Sequence, residues 1–388
     1  MTSLDSLPLR ADLQGAAPYG APVIDVPVRL NVNENAFDVP EPVVRAIGAR
    51  VAEVAASLNR YPDREFTELR TLLAGYLGGV LAAEAGESGS GASELAGARI
   101  RPEMIWAANG SNEVLLHILQ AFGGPGRTAL GFVPSYSMHP LVAQASGARF
   151  VGVGRNADFT IDPAAAVAAV REHDPDVVFL CTPNNPTGTR TPLEVIERIY
   201  EAARGIVIVD EAYAEFAGSD FRSALHLLPG RERLVVSRTM SKAFAFAGAR
   251  VGYAAADPAF VDALRLVRMP YHLSSLTQAA ACAALEHTEE LLAGVRALVA
   301  QRERLSAGLR DLGFEVFDSD SNFVLFRGAA DPHALWQRLV DSGVLIRDIG
   351  LDGCLRVNAG TERETTAFLE ALGAAVEQEP HLTDGKQG

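Results

Sequence analysis

From about Met104 to Pro270, short apolar runs alternate with longer stretches that carry helical periodicity. MIWAA at 104–108 leads through the turn NGSN into the helix-patterned EVLLHILQAF. TALGFV at 128–133 runs into the loop PSYSMHP, and DVVFL at 176–180 into CTPNNPTG. GIVIVD at 205–210 runs into EAY, and RLVVS at 233–237 into RTMSK. Short β-branched runs that alternate with helical segments predict a mostly parallel sheet between helices. In such sheets ligands bind beyond the carboxyl ends of the strands. Every chemically notable motif of this chain falls at one of those ends.

The rhythm changes after Pro270. A long helical region over roughly Thr277 to Leu312 precedes FEVFDSDSNFVLF, a helix around His333 to Ser342, the strands VLIRD and CLRVNAG, and a terminal helix. This pattern predicts a smaller α+β domain. The first 40 residues are proline-rich and irregular, as expected of an arm lying across another surface. The predicted organisation is therefore 1–45 as arm and part of the small domain, 46–275 as the large domain, and 276–388 as the C-terminal small domain. A stretch from about Val80 to Gly97, rich in Gly, Ser, Ala and Glu, reads as an exposed insertion between helices.

Composition narrows the functional classes. The chain has 388 residues, 48% of them hydrophobic, enough for a core that needs no disulfide or metal staple. Its net charge of −14 argues against nucleic-acid binding, which calls for clustered Lys and Arg. The three cysteines, Cys181, Cys282 and Cys354, are isolated, so neither a disulfide framework nor a metal site is expected. The first residues carry acids early and no apolar core, unlike a secretory leader, and no apolar run reaches membrane-spanning length. A cytoplasmic protein is the expectation.

The motif with most chemical content is Thr239-Met-Ser241-Lys242, followed eight residues on by Arg250. A lysine after a buried strand, among small and apolar residues, is disfavoured as an ammonium and favoured as an amine nucleophile. Arg250 brings a second cation, either for a phosphate or to disfavour the lysine's charge; a surface Lys and Arg on one helix is the bland alternative. Asp210 ends a buried strand and wants a cationic or N–H partner, such as a protonated ring nitrogen, with Tyr213 a donor nearby. The same Asp also suits a helix N-cap beside a packed Tyr. Asn185, within NNPTG, reads first as part of a turn, and its amide is a further donor. Asn109-Gly-Ser111-Asn112 opens a helix, where N–H groups form an anion site unless Ser111 or Asn112 merely caps it. Tyr136 can stack on a planar ring or simply pack.

The ordered set, with anion cradle, aromatic, amide, carboxylate, lysine and arginine on successive strand ends, resembles the fold-type I pyridoxal-5′-phosphate (PLP) aminotransferases over nearly the whole chain. The resemblance implies an α/β large domain with a mostly parallel seven-stranded sheet and PLP as cofactor. It implies that Lys242 is the Schiff-base lysine and Asp210 the partner of the pyridine nitrogen. Tyr213 and Asn185 then partner the phenolate oxygen, and Tyr136 is the stacking ring. Ser111, Asn112, Thr239, Ser241 and Arg250 form the phosphate cup, and Arg356 receives the substrate anion.

Further stretches resemble the histidinol-phosphate aminotransferase subfamily: Pro18-Tyr19-Gly20, Leu30-Asn31-Val32-Asn33-Glu34-Asn35, Tyr61-Pro62-Asp63, and the pair Leu345-Ile346-Arg347-Asp348 and Leu355-Arg356-Val357. That likeness implies transamination between L-histidinol phosphate and 2-oxoglutarate in histidine biosynthesis. Arg347 and Arg356 would receive the substrate phosphate with Tyr19 and Tyr61, and Asn33 would line the site. It further implies a homodimer in which Tyr61 reaches the neighbouring active site. The family's usual NENP reads NENA here, with Ala36 where the proline stands. An aromatic amino-acid aminotransferase of the same fold, or a PLP decarboxylase of a phosphorylated amino acid, are the rival activities.

Overall fold

The computed structural model describes residues 7–15, 20–86 and 100–383. A short strand, β1 (Val28–Arg29), is followed by helices Glu41–Ala55 and Thr67–Glu84. Then come β2 (Ile105–Ala108), β3 (Thr128–Val133), β4 (Arg149–Gly154), β5 (Val177–Cys181), β6 (Ile206–Asp210), β7 (Leu234–Thr239) and β8 (Gly252–Ala256), interleaved with helices. These seven strands form one sheet in the order β2-β8-β7-β6-β5-β3-β4. All pairings are parallel except those of β8, which is antiparallel to both β2 and β7.

The apolar runs of β5 and β6 are buried along their full length, as expected of parallel strands covered on both faces. The predicted seven-stranded α/β architecture is therefore present. Two of its strands carried little sequence signal. In β4, RFVGVG is weakened by glycines on a sheet edge, and in β8, GYAAA reads as helix-forming alanines. Small residues suit β8 because it runs beneath a helix start. A Cβ at Gly252 would lie 2.0 Å from the Ser111 nitrogen.

The C-terminal part contains β9 (Glu315–Val316), β10 (Phe323–Arg327), β11 (Val344–Leu345), β12 (Arg347–Asp348) and β13 (Cys354–Asn358). β12, β13, β10 and β9 form an antiparallel sheet in that order. β1 pairs in parallel with β11, and the Asn358 N–H donates to the Leu30 carbonyl at 3.0 Å, so the N-terminal segment is stitched to the C-terminal one.

Two local expectations change. The long helical region expected over roughly 277–312 is resolved into two helices, Ser275–Glu286 and Thr288–Asp311, broken at His287 (φ −120°, ψ 36°). The break lets the first pack on the helices at 41–55 and 67–84, while the second packs on β9, β10 and the terminal helix, Glu362–Gln378. The supposed insertion also starts too early. Residues 80–84 are the last turn of helix Thr67–Glu84, with Leu81 and Ala82 buried because they continue the apolar stripe of Leu73 and Leu77. Residues 87–97 of that stretch lie outside the described residues. Among the described residues no helix is long and apolar enough to cross a membrane.

Candidate active site

The carboxyl ends of β2, β3, β5, β6 and β7 meet β12, β13 and the segment Asn31–Glu34 around one pocket of about 570 Å³. Ser111, Asn112, Tyr136, Asn185, Asp210, Tyr213, Thr239, Ser241, Lys242, Arg250, Arg347, Arg356 and Asn33 all line it. Thirteen predicted positions, scattered over more than 300 residues of sequence, are thus brought together by the fold. Two are not. Tyr61 is 79% exposed, outside the pocket, with its ring stacked on Tyr271 at 4.4 Å. Tyr19 lies outside the described residues.

Lys242 follows β7 and sits half-buried on the pocket wall, its Nζ donating to the Val32 carbonyl at 3.1 Å. Burial, then the nearby charges of Arg356 and Arg250, lower its ammonium to about 8, against the opposing pull of Glu34. The free amine is therefore reached at a pH well below the ordinary lysine range.

Asp210 is buried where β6 ends. Its Oδ2 meets His139 Nε2 at 3.2 Å, while Oδ1 is buried with no hydrogen-bond partner among the described residues. A buried carboxylate oxygen without a donor is costly unless a ligand supplies one. His139 is itself buried and stacked on Phe179 at 4.5 Å. This partner of Asp210 was missed from sequence, since a lone histidine in SMHP carries no motif.

The Tyr213 hydroxyl accepts hydrogen bonds from Asn33 Nδ2 at 2.8 Å and Asn185 Nδ2 at 3.3 Å. Burial raises its pKa, so it stays a phenol, able to donate into the pocket. Asn185 Oδ1 accepts from Arg356 Nη1 at 2.5 Å, and Arg356 Nη2 donates to the Asn31 carbonyl at 2.9 Å. The Tyr136 hydroxyl donates to Asn112 Oδ1 at 3.2 Å.

At the other end of the pocket, helix Ser111–Phe122 begins after Gly110 with no side-chain cap, so neither Ser111 nor Asn112 serves merely to close it. Ser111 and Asn112 at its start line the pocket, and a helix N-terminus favours an anion. Arg250 Nη2 donates to the Asn109 carbonyl at 3.4 Å, and a Cβ at Gly110 would sit 2.5 Å from that Nη2. Only glycine leaves room for the guanidinium there, and its φ of +87° is a glycine conformation. Thr239 Oγ1 and Ser241 Oγ, 3.0 Å apart, complete a ring of donors. One end of the pocket is thus built for a phosphate and the other for an anion, with an amine between them.

The comparisons with known proteins agree with that chemistry. Residues 25–372 match the family model described as aminotransferase class I and II. The chain belongs to this family. Among its relatives, a histidinol-phosphate aminotransferase of Paenarthrobacter aurescens is 57% identical over 377 residues, covering 96% of each chain. One of Corynebacterium diphtheriae is 52% identical, covering 97% of this chain and 98% of its own. A crystal structure of the Sinorhizobium meliloti histidinol-phosphate aminotransferase in complex with pyridoxal-5′-phosphate superposes with a TM-score of 0.82 at 25% identity, covering 97% of this aminotransferase and all of that one.

Proposed function

We propose that this aminotransferase moves an amino group between L-histidinol phosphate and 2-oxoglutarate, giving imidazole-acetol phosphate and L-glutamate, as a cytoplasmic homodimer of histidine biosynthesis. The observation that carries the substrate assignment is the cross-strand pair of Arg347 and Arg356, both lining the pocket that holds Lys242. Relatives more than half identical over nearly the whole chain bear that activity in their names.

The residues present fit PLP. Asp210 Oδ1 lacks a donor that a protonated ring nitrogen would supply, and the uncapped helix start with Arg250, Thr239 and Ser241 suits a phosphate. When bound, PLP supplies an electron-accepting ring and a carbonyl carbon that captures primary amines. Asp210, held by His139, keeps the ring nitrogen protonated. Asn185 and Tyr213 would donate to the ring oxygen, and Tyr136 would stack on the ring. Lys242 would anchor the cofactor and, as a free amine, would hold or move the proton at the substrate's amine-bearing carbon. Arg356 receives an anion from either substrate; Arg347 is the second cation that a phosphate dianion wants.

The same reading divides the chain into an arm, 1–45, a large unit, 46–275, and a small unit, 276–388. The helix that starts at the second boundary packs on the large unit. Steady-state rates with L-histidinol phosphate, L-phenylalanine and threonine phosphate, each with 2-oxoglutarate, test the assignment. Preference for histidinol phosphate is expected. Preference for phenylalanine would replace the reading with an aromatic aminotransferase, and loss of CO₂ from threonine phosphate would replace it with a decarboxylase.

A further inference from the structure

The motif Asn33-Glu34-Asn35 holds a charged group that the chemistry above leaves unused. Three hydrogen bonds pin this segment to the reactive lysine and its neighbours. Lys242 Nζ donates to the Val32 carbonyl at 3.1 Å, Asn33 Nδ2 to the Tyr213 hydroxyl at 2.8 Å, and Asn35 Nδ2 to the Lys242 carbonyl at 3.2 Å. Asn33 adopts a left-handed φ of 57°. Glu34 sits between these anchors, lines the pocket and remains exposed to it.

Among the described residues three carboxylates line the pocket: Glu34, Asp210 and Asp348. Asp210 is buried against His139. Asp348 is engaged at both oxygens, with His333 Nδ1 at 3.3 Å and the Gly350 N–H at 3.0 Å. Among the described residues the Glu34 carboxylate makes no hydrogen bond and no ion pair. A fixed backbone, a pocket-facing side chain and an uncommitted acceptor are the attributes of a group reserved for a ligand.

The proposed donor offers three polar features: an amine, a phosphate and an imidazole. The amine goes to the Lys242 end and the phosphate to Arg347 and Arg356. The imidazole N–H then wants an acceptor, and of the carboxylates that line the pocket Asp210 is held by His139 and Asp348 by His333 and the Gly350 N–H, which leaves Glu34. We infer that Glu34 accepts a hydrogen bond from the imidazole ring of the donor and so sets the preference for imidazole-bearing amino phosphates, an inference that rests on the substrate reading above. Glutamate has no ring N–H to offer, so Glu34 acts in one half-reaction only.

Size follows from exposure. A carboxylate open to water competes with solvent for its partner, so the effect sits at the low end for a charged hydrogen bond, roughly tenfold in kcat/KM. The test uses the holoenzyme and single-turnover reactions of the PLP form with three donors: L-histidinol phosphate, serinol phosphate, which keeps amine and phosphate but has no ring, and L-glutamate. Glu34→Ala should lower kcat/KM for histidinol phosphate roughly tenfold, mainly through the saturation constant, and change the other two donors by less than about threefold. Glu34→Gln, which keeps an acceptor oxygen, should recover part of the loss. An unchanged PLP absorption band and melting temperature would show that the variants are folded. Equal losses with all three donors would overturn the inference, since Glu34 would then act only through the Lys242 amine; so would an unaltered rate with histidinol phosphate. Wild-type protein that fails to use histidinol phosphate at all would instead refute the substrate reading.

Discussion

Arg347 and Arg356 stand directly opposite each other across the antiparallel β12–β13 ladder, and both line the pocket that contains Lys242. Cross-strand partners point to the same face, with Cβ atoms roughly 5 Å apart, and like charges so placed destabilise a sheet. Among the described residues Arg347 Nη1 is in addition buried without a hydrogen-bond partner. A protein tolerates that arrangement where a dianion arrives between the two. Asp348, the neighbour that could have neutralised Arg347, is turned to His333 instead.

Arg347→Ala should therefore damage the half-reaction with histidinol phosphate roughly a hundredfold in kcat/KM and the half-reaction with glutamate far less. Arg356→Ala should damage both, because it also holds Asn185. Single-turnover rates from the PLP form measure each donor separately. Equal losses for the two donors in Arg347→Ala would remove the phosphate role.

Borohydride reduction of the PLP-loaded protein should fix the cofactor on one peptide, the one containing Lys242. Peptide mass mapping reads the result, and a label on any other lysine would displace Lys242 from its role.

The Lys242 ammonium, lowered to about 8, gives a pH dependence with a definite sign. Above that value the folded protein holds the neutral amine, while an unfolded chain would still be protonated up to the ordinary lysine range. Capture of added PLP by cofactor-free protein should accelerate as pH rises toward about 8 and level off above it. Stopped-flow absorbance over pH 6–10.5 reads this directly. A rate that keeps climbing to the top of the range would mean that the pocket does not desolvate the lysine.

Asp210→Ala should retain PLP yet lose turnover by orders of magnitude, because the ring nitrogen loses the carboxylate that keeps it protonated. His139→Leu should cost roughly tenfold, since it removes only the contact that orients Asp210. Turnover and PLP content, measured together, separate the two effects. Near-normal turnover in Asp210→Ala would place the wrong carboxylate at the ring.

Tyr61 and Tyr271 form an exposed stack outside the pocket, which suits a group that serves the site of a second copy. In a two-fold homodimer with shared sites, inactive Lys242→Ala and Tyr61→Ala proteins should regain activity when mixed, because each hybrid dimer contains one intact pair. Sedimentation as a fully active monomer would contradict this arrangement.

The alternation of buried β-branched runs and helical stretches determined the mostly parallel α/β core through β2, β3, β5, β6 and β7, because the covering of both sheet faces leaves its mark on such strands; the count of seven came from the family resemblance. The ordered set of residue types at the strand ends marked Lys242, Asp210, Asn185 and Arg250 as candidates, since each alone has a structural use but the set in that order has none. Local sequence could not reveal His139 behind Asp210, the break at His287, or strands β4 and β8, where glycine and alanine erase the periodic signal. Only the tertiary structure decided that Gly252 must pass beneath Ser111, that Arg347 faces Arg356, and that Glu34 is pinned beside Lys242. Two of these relations join segments 141 and 208 residues apart, and the third joins two neighbouring strands. They depend on which side chains the packed sheets aim at one point, and no pattern within a single segment encodes that.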